Sequence, residues 1–192
     1  HYLLLDDSVY DGPWESAARY VLSPPIRPAG HQEALWDGLK AGILEVVSTD
    51  HCPFHTIGQK EMGREDFRRI PNGAAGVEHR MALLYTFGVG AGRLDLFQFV
   101  DLTSTRAARL FGLYPRKGSI TVGADADLVL WDPEATGVIS ARTHHHRCDA
   151  SIYEGFALRG LPSTVLSGGR IGFRQGDLRA EPGSGRFLRR PV

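Results

Sequence analysis

The sequence predicts an α/β chain that changes near residue 115 into a small β portion. Three observations carry that reading. Apolar residues recur at helical spacing in several stretches before residue 115. A single short apolar strand lies between the first two helices. After Pro115 the helical spacing gives way to short β runs broken by Gly and Pro.

The first helix is read over residues 32–41, with Ala34, Leu35, Leu39 and Ala41 near one face and Gly42 as its stop. Residues 43–47, Ile-Leu-Glu-Val-Val, read as a buried strand running into Ser48-Thr49-Asp50-His51. A second helix spans 77–89, where Met81, Leu84, Tyr85 and Gly88 share a face. Residues 95–102 and 104–111 read as two consecutive helices, capped by Asp95 and Ser104 and stopped by Gly112. Beyond Pro115, residues 120–123, 127–131 and 163–173 read as β. Gly168-Gly169 turns a hairpin, because two glycines can take the positive φ values of a type I′ turn. The division is therefore 1–115 for the α/β part, 116–175 for the β part, and 176–192 for an extended Gly/Arg/Pro-rich tail.

Composition narrows the functional class. The 192 residues carry 22 Lys plus Arg and 22 Asp plus Glu, so the formal net charge is zero. That balance argues against a chain whose main task is coating nucleic acid or an anionic membrane. Acids concentrate in the first 50 residues, and the last 37 carry seven Arg against Asp177 and Glu181. That basic tail is either simply solvated or a dock for an acidic partner surface. With 42% hydrophobic residues and 23 Gly, the chain is turn-rich but able to pack a core. Two cysteines make no disulfide scaffold, which favours an intracellular, cytoplasmic setting. No apolar run reaches the ~18 residues of a membrane span. The opening His1-Tyr2-Leu3-Leu4-Leu5 reads as the middle of an element, as in a fragment.

The stretch richest in chemistry is Val47-Ser48-Thr49-Asp50-His51-Cys52-Pro53-Phe54. A carboxylate where an apolar parallel strand ends is placed as α/β barrels place catalytic and metal-binding groups. The same Asp also suits an N-cap or a turn. His51 reads as a ligand, a proton donor or a satisfied histidine. Being adjacent in a strand, it does not share an ion with Asp50. Cys52 reads as a buried, inert thiol. The triplet His144-His145-His146 reads as structural, since three consecutive imidazoles do not all face one metal.

Several blocks together resemble the dihydropyrimidinase/D-hydantoinase family. They are Ser48-Thr49-Asp50-His51-Cys52-Pro53-Phe54, Gly58-Gln59-Lys60, Asp66-Phe67, Ile70-Pro71-Asn72-Gly73 and Gly76-Val77-Glu78-His79-Arg80-Met81. Tyr20 to Arg27 looks like that family's serine loop. Gly123-Ala124-Asp125-Ala126-Asp127-Leu128-Val129-Leu130-Trp131-Asp132 is similar to amidohydrolases in general, and Thr143-His144-His145 with Tyr153-Glu154-Gly155 fits the narrower family. His79, where an acid is common, and Cys148 with Ala150-Ser151 depart from the pattern.

The resemblance implies the last part of a metal-dependent (β/α)₈ TIM barrel, followed by the C-terminal strands of a small β-sandwich. It implies hydrolytic opening of dihydropyrimidine or 5-substituted hydantoin rings to N-carbamoyl amino acids. Two divalent metal ions, zinc by family expectation, would do this in a dimer or tetramer acting on a small cyclic amide. Asp50 matches a metal ligand that also moves the proton, and Ser23 and Asn72 match positions that hold the substrate's amide edge. A His-x-His pair, a carbamylated lysine and two further histidines of the two-metal site have no counterpart in these residues. The alternatives are a non-enzymatic scaffold of the same fold, or a sister cyclic amidase such as allantoinase.

Overall fold

A computed structural model describes residues 1–190. The chain divides into two compact units. The first is built from His1–Leu44, Ser48–Met81 and Val138–Ala157, and the second from Glu45–Val47, Ala82–Gly137 and the chain from Leu158 onward.

In the first unit, α1 (Trp14–Ala17) is a single turn, and α2 (His31–Lys40) is the main helix. Glu33 sits in the first turn of α2 and Lys40 in the last, each favourable to the helix dipole. Trp36 and Leu39, three apart, are its buried residues. The Trp36 indole donates to the Leu3 carbonyl at 3.1 Å, and the Gln32 amide donates to that of Leu5 at 2.7 Å. The amphipathic face thereby pins the N-terminal segment. Gly42, at φ +73°, ends the helix as expected.

The strand expected over 43–47 does not form. Among the described residues, the one β-bridge outside the sheet described below is parallel, between His51 and Ala74, with Cys52 N–H on the Ala74 carbonyl at 3.0 Å. A strand exists through its ladder, and residues 43–47 are not assigned to one; the N–H groups of Ile43 and Leu44 donate to the Gly38 carbonyl instead. Ile43 is accordingly exposed rather than buried.

The helix read over 77–89 begins later, as α3 (Arg80–Leu84), and continues through a π-helical turn, Tyr85–Val89. The N–H groups of Gly76 and Val77 are taken by the His51 ring instead. In the second unit, α4 (Leu96–Val100) opens on the expected Asp95 cap. The Asp95 carboxylate accepts from Gln98 N–H at 2.7 Å, and the Gln98 side chain returns a bond to Asp95 N–H at 3.0 Å. The expected break at Ser104 is absent. A π-helical turn, Asp101–Thr105, joins α4 to α5 (Arg106–Leu110) in one run. Phe99, Leu102 and Ala108 are buried across the joint, so core packing carries the helix past Ser104. Gly112, at φ +68°, stops it as expected.

No strand forms at 120–123. Asp125 pairs with Arg116 and Lys117, each at 3.0 Å, and Asp127 with Lys117. These pairs close a loop that leaves Ile120 and Val122 exposed. The β region is a four-stranded sheet of order β1 (Leu128–Val138), β2 (Ala157–Ser167), β3 (Arg170–Arg174) and β4 (Asp177–Leu178). β2–β3 and β3–β4 are antiparallel. Ser167 pairs with Arg170 around Gly168 and Gly169, at φ +55° and +81°, the two-residue hairpin expected. Of the tail read over 176–192, Asp177–Leu178 joins the sheet, and residues 191–192 lie outside the described part.

Candidate active site

All three residues singled out by sequence, Ser23, Asp50 and Asn72, belong to the first unit. The Asn72 amide donates to the Ser23 hydroxyl at 2.9 Å, which brings together two residues 49 positions apart. Their loops are tied again beneath that contact. Gly73 N–H donates to the Val21 carbonyl at 3.0 Å, and the Lys60 ammonium donates to the carbonyls of Val21 and Pro71, both at 3.0 Å. With side chains engaged to each other, the main-chain N–H and C=O of Ser23 and Asn72 have no hydrogen-bond partner among the described residues. Two exposed residues thus present unused backbone donors and acceptors.

Lys60 is a residue that sequence reasoning quoted but gave no role. It is 2% exposed, and burial pulls its pKa down from 10.5 to about 8. The Phe54 ring lies 5.7 Å from its nitrogen.

Asp50 is reached through the next loop. Its φ of +44° is a left-handed conformation that Asp tolerates better than most residues. His51 holds this turn in place. Its backbone bridges to Ala74, and its Nδ1 accepts from Gly76 N–H at 3.0 Å and Val77 N–H at 3.3 Å. Cys52 then packs on Gly73, whose φ is +144°. A β-carbon there would stand 2.6 Å from the Cys52 carbonyl oxygen, so this contact requires glycine. Through this chain of contacts the Asp50 loop abuts the Ser23–Asn72 pair. The Asp50 carboxylate is exposed and has no ion-pair or hydrogen-bond partner among the described residues. It faces the Tyr2 phenol, whose pKa is raised by burial and then by the Asp50 charge; that phenol donates to the Pro24 carbonyl.

The expectation of a buried Cys52 is corrected. Cys52 is exposed and Cys148 is the buried cysteine. The reason is Gly73, which has no side chain to cover the thiol it touches.

One cluster was missed. One ring nitrogen each of His79, His144 and His146 lies within 4.8 Å of the others. The reading of the triplet held for His145, whose ring and N–H both turn to the Glu78 carboxylate at 2.7 Å. The alternate pair, His144 and His146, instead brings ring nitrogens close to His79, because residues two apart can point the same way in a non-helical segment. Burial lowers the pKa of His146 to about 4 and lowers that of His79 as well.

With this geometry in hand, the class follows: the chain belongs to the amidohydrolase family, whose model matches residues 21–172. Within that family it is similar to the D-hydantoinase of Geobacillus stearothermophilus, at 48% identity over 98% of this chain and 40% of that protein. It is 45% identical to the dihydropyrimidinase of Arabidopsis thaliana, over 98% of this chain and 36% of that one. A solved D-hydantoinase (dihydropyrimidinase) from Thermus sp. superposes with a TM-score of 0.94 at 48% identity, covering 98% of this chain and 41% of that one. The resemblance read from the motifs is borne out. The chain spans about two-fifths of the length of the curated relatives it matches.

The amidohydrolase family is metal-dependent. Asp50, an uncommitted carboxylate on a braced turn, fits as a donor to such a centre. It joins no group of three potential ligands among the described residues.

Proposed function

We propose that this chain is the C-terminal part of a hydrolase that opens cyclic amides, converting dihydropyrimidines or 5-substituted hydantoins to N-carbamoyl amino acids. In this reading, residues 1–115 complete a (β/α)₈ barrel, residues 116–175 contribute strands to a β-sandwich, and residues 176–192 form the tail. The observation that carries it is the Ser23–Asn72 contact, which leaves both residues' backbone groups open beside the loop that presents Asp50. A planar –CO–NH–CO– edge needs such an alternation of donors and acceptors, and backbone supplies it without mobile side chains.

Two divalent ions, zinc in this proposal, would when bound supply a water of lowered pKa and a polarised ring carbonyl. Asp50 would contribute one ligand and carry the proton. Its carboxylate accepts a proton from the attacking water as the C–O bond forms, and delivers it to the ring nitrogen as the C–N bond breaks. The products are a carboxylate and a ureido nitrogen in one open chain. Asp50 suits this task because, among the described residues, its carboxylate is in no ion pair or hydrogen bond and is free to bind and to carry a proton. We place the complete enzyme in the cytoplasm as a dimer or tetramer. No helix of the described residues is long and apolar enough to cross a membrane. The retained Asp50 and the Ser23–Asn72 pair weigh against a non-enzymatic scaffold. The relatives named D-hydantoinase and dihydropyrimidinase weigh against allantoinase.

The test is Asp50→Asn in the whole protein, assayed for ring opening of dihydrouracil and hydantoin. Turnover should fall roughly 10²–10⁴-fold, the usual range for losing a positioned proton carrier, with the circular dichroism spectrum unchanged. Near-normal turnover overturns the assignment of Asp50.

A further inference from the structure

We propose that His79, His144 and His146 form a metal site, sharing no ligand with the centre proposed for Asp50, which takes one divalent transition-metal ion of the zinc, copper, nickel and cobalt group.

The observation behind it is a set of unused nitrogens. His79 Nε2, His144 Nδ1 and His146 Nε2 are all buried, and none has a hydrogen-bond partner. One ring nitrogen from each residue lies within 4.8 Å of the others. Buried polar atoms are ordinarily satisfied, and three unpartnered ring nitrogens within one histidine cluster are the exception that calls for an occupant. Three nitrogens bound tetrahedrally at ~2.1 Å from a zinc ion stand about 3.4 Å apart, so ring rotations of an ångström or so close the site.

The surroundings fit a ligand set better than a packed aromatic cluster. His144 Nε2 lies 3.0 Å from the Cys148 carbonyl, which accepts only. The proton therefore belongs on Nε2, and the Nδ1 lone pair is the one aimed inward. A carbonyl that fixes the tautomer of a ligating histidine is the common outer partner of a metal site. The His146 side chain is 7% exposed, and Glu78 Oε2 stands 3.7 Å from its Nε2. Glu78 is itself clamped by the His145 N–H and ring, which fixes a negative charge beside the cluster. Imidazole donors favour the zinc–copper group, whereas calcium and magnesium require oxygen. The ion would tie the turn at residue 79 to the loop at 144–146, closing 64 residues of intervening chain. This site does not rest on the cyclic-amidase reading.

The experiment uses the whole protein, stripped with chelator and titrated with copper(II) and zinc(II). Copper should give an electron paramagnetic resonance spectrum in which one component with nitrogen hyperfine structure survives in Asp50→Asn and is lost in His146→Gln and in His79→Gln. Zinc should raise the melting temperature of the Asp50→Asn protein, and its affinity should fall roughly a hundredfold in Asp50→Asn/His146→Gln. Should His146→Gln prove unstable, His144→Gln removes a different donor and tests the same site. Unchanged nitrogen coupling and zinc affinity in both single-histidine variants overturn the proposal, as does a protein that binds no ion beyond the Asp50 centre.

Discussion

Replacing Lys60 with Met removes the cation that ties Val21 to Pro71 while keeping a side chain of similar length. Two opposing quantities set the outcome. The two charge-assisted bonds to carbonyls are worth ~1.5–3 kcal/mol each. Burial lowers the lysine pKa from 10.5 to about 8, which corresponds to roughly 3 kcal/mol against the charged form. The net loss near neutral pH is therefore between about 0 and 3 kcal/mol, and the sharper signature lies in pH. Below about 8 the lysine is charged in both folded and unfolded chains, and the full penalty applies. Between about 8 and 10.5 the unfolded chain holds a proton that the folded chain has released. Stability should rise with pH across that window, by up to ~1.4 kcal/mol per pH unit. Urea denaturation of the protein and of Lys60→Met at about pH 7 and about pH 10 isolates this contribution, because other alkaline titrations cancel in the difference. Equal pH dependence in the two proteins refutes the reasoning. In the same variant KM for a cyclic amide should rise more than kcat falls, since the strap holds the Ser23 and Asn72 loops rather than touching the reacting atoms.

Gly160→Ala should destabilise by about 2–4 kcal/mol, combining a left-handed φ of +84° with a β-carbon only 2.2 Å from the Tyr85 ring. A melting temperature within a degree of the parent contradicts that packing. Asp95→Ala should cost about 1 kcal/mol by removing the capping box of α4, and Asp95→Asn should recover most of it. Equal loss in both variants, measured by denaturant unfolding, shows that the cap is not the cause.

How much of this was legible in the sequence depends on the range over which each feature is decided. The Asp95 cap, the Gly42 and Gly112 stops and the Gly168-Gly169 turn are settled within a few residues, and all were read correctly. The strand at 43–47 and the break at Ser104 were not. An apolar β-rich run specifies readiness to pair, but pairing depends on a neighbour that no local pattern supplies. Ser104 has the chemistry of a cap, yet Phe99, Leu102 and Ala108 bury a continuous face, and a π-helical turn is the adjustment that preserves it.

The same distinction explains the site. Asp50, Ser23 and Asn72 were found through motif resemblance, and what the motif could not convey was how they are held. Lys60 carries no catalytic signature in sequence. Its importance comes from being the only buried cation beneath two loops 50 residues apart, among the described residues. His79 shows the converse. It was noticed as a departure from the family pattern, and the triplet at 144–146 was noticed as too crowded for one ion. Each observation was sound alone. Joined by the fold, a departure and a redundancy become complementary, because the residue that differs from its relatives points the same kind of nitrogen at the same place as two of the three consecutive imidazoles. Such convergence is a property of tertiary placement.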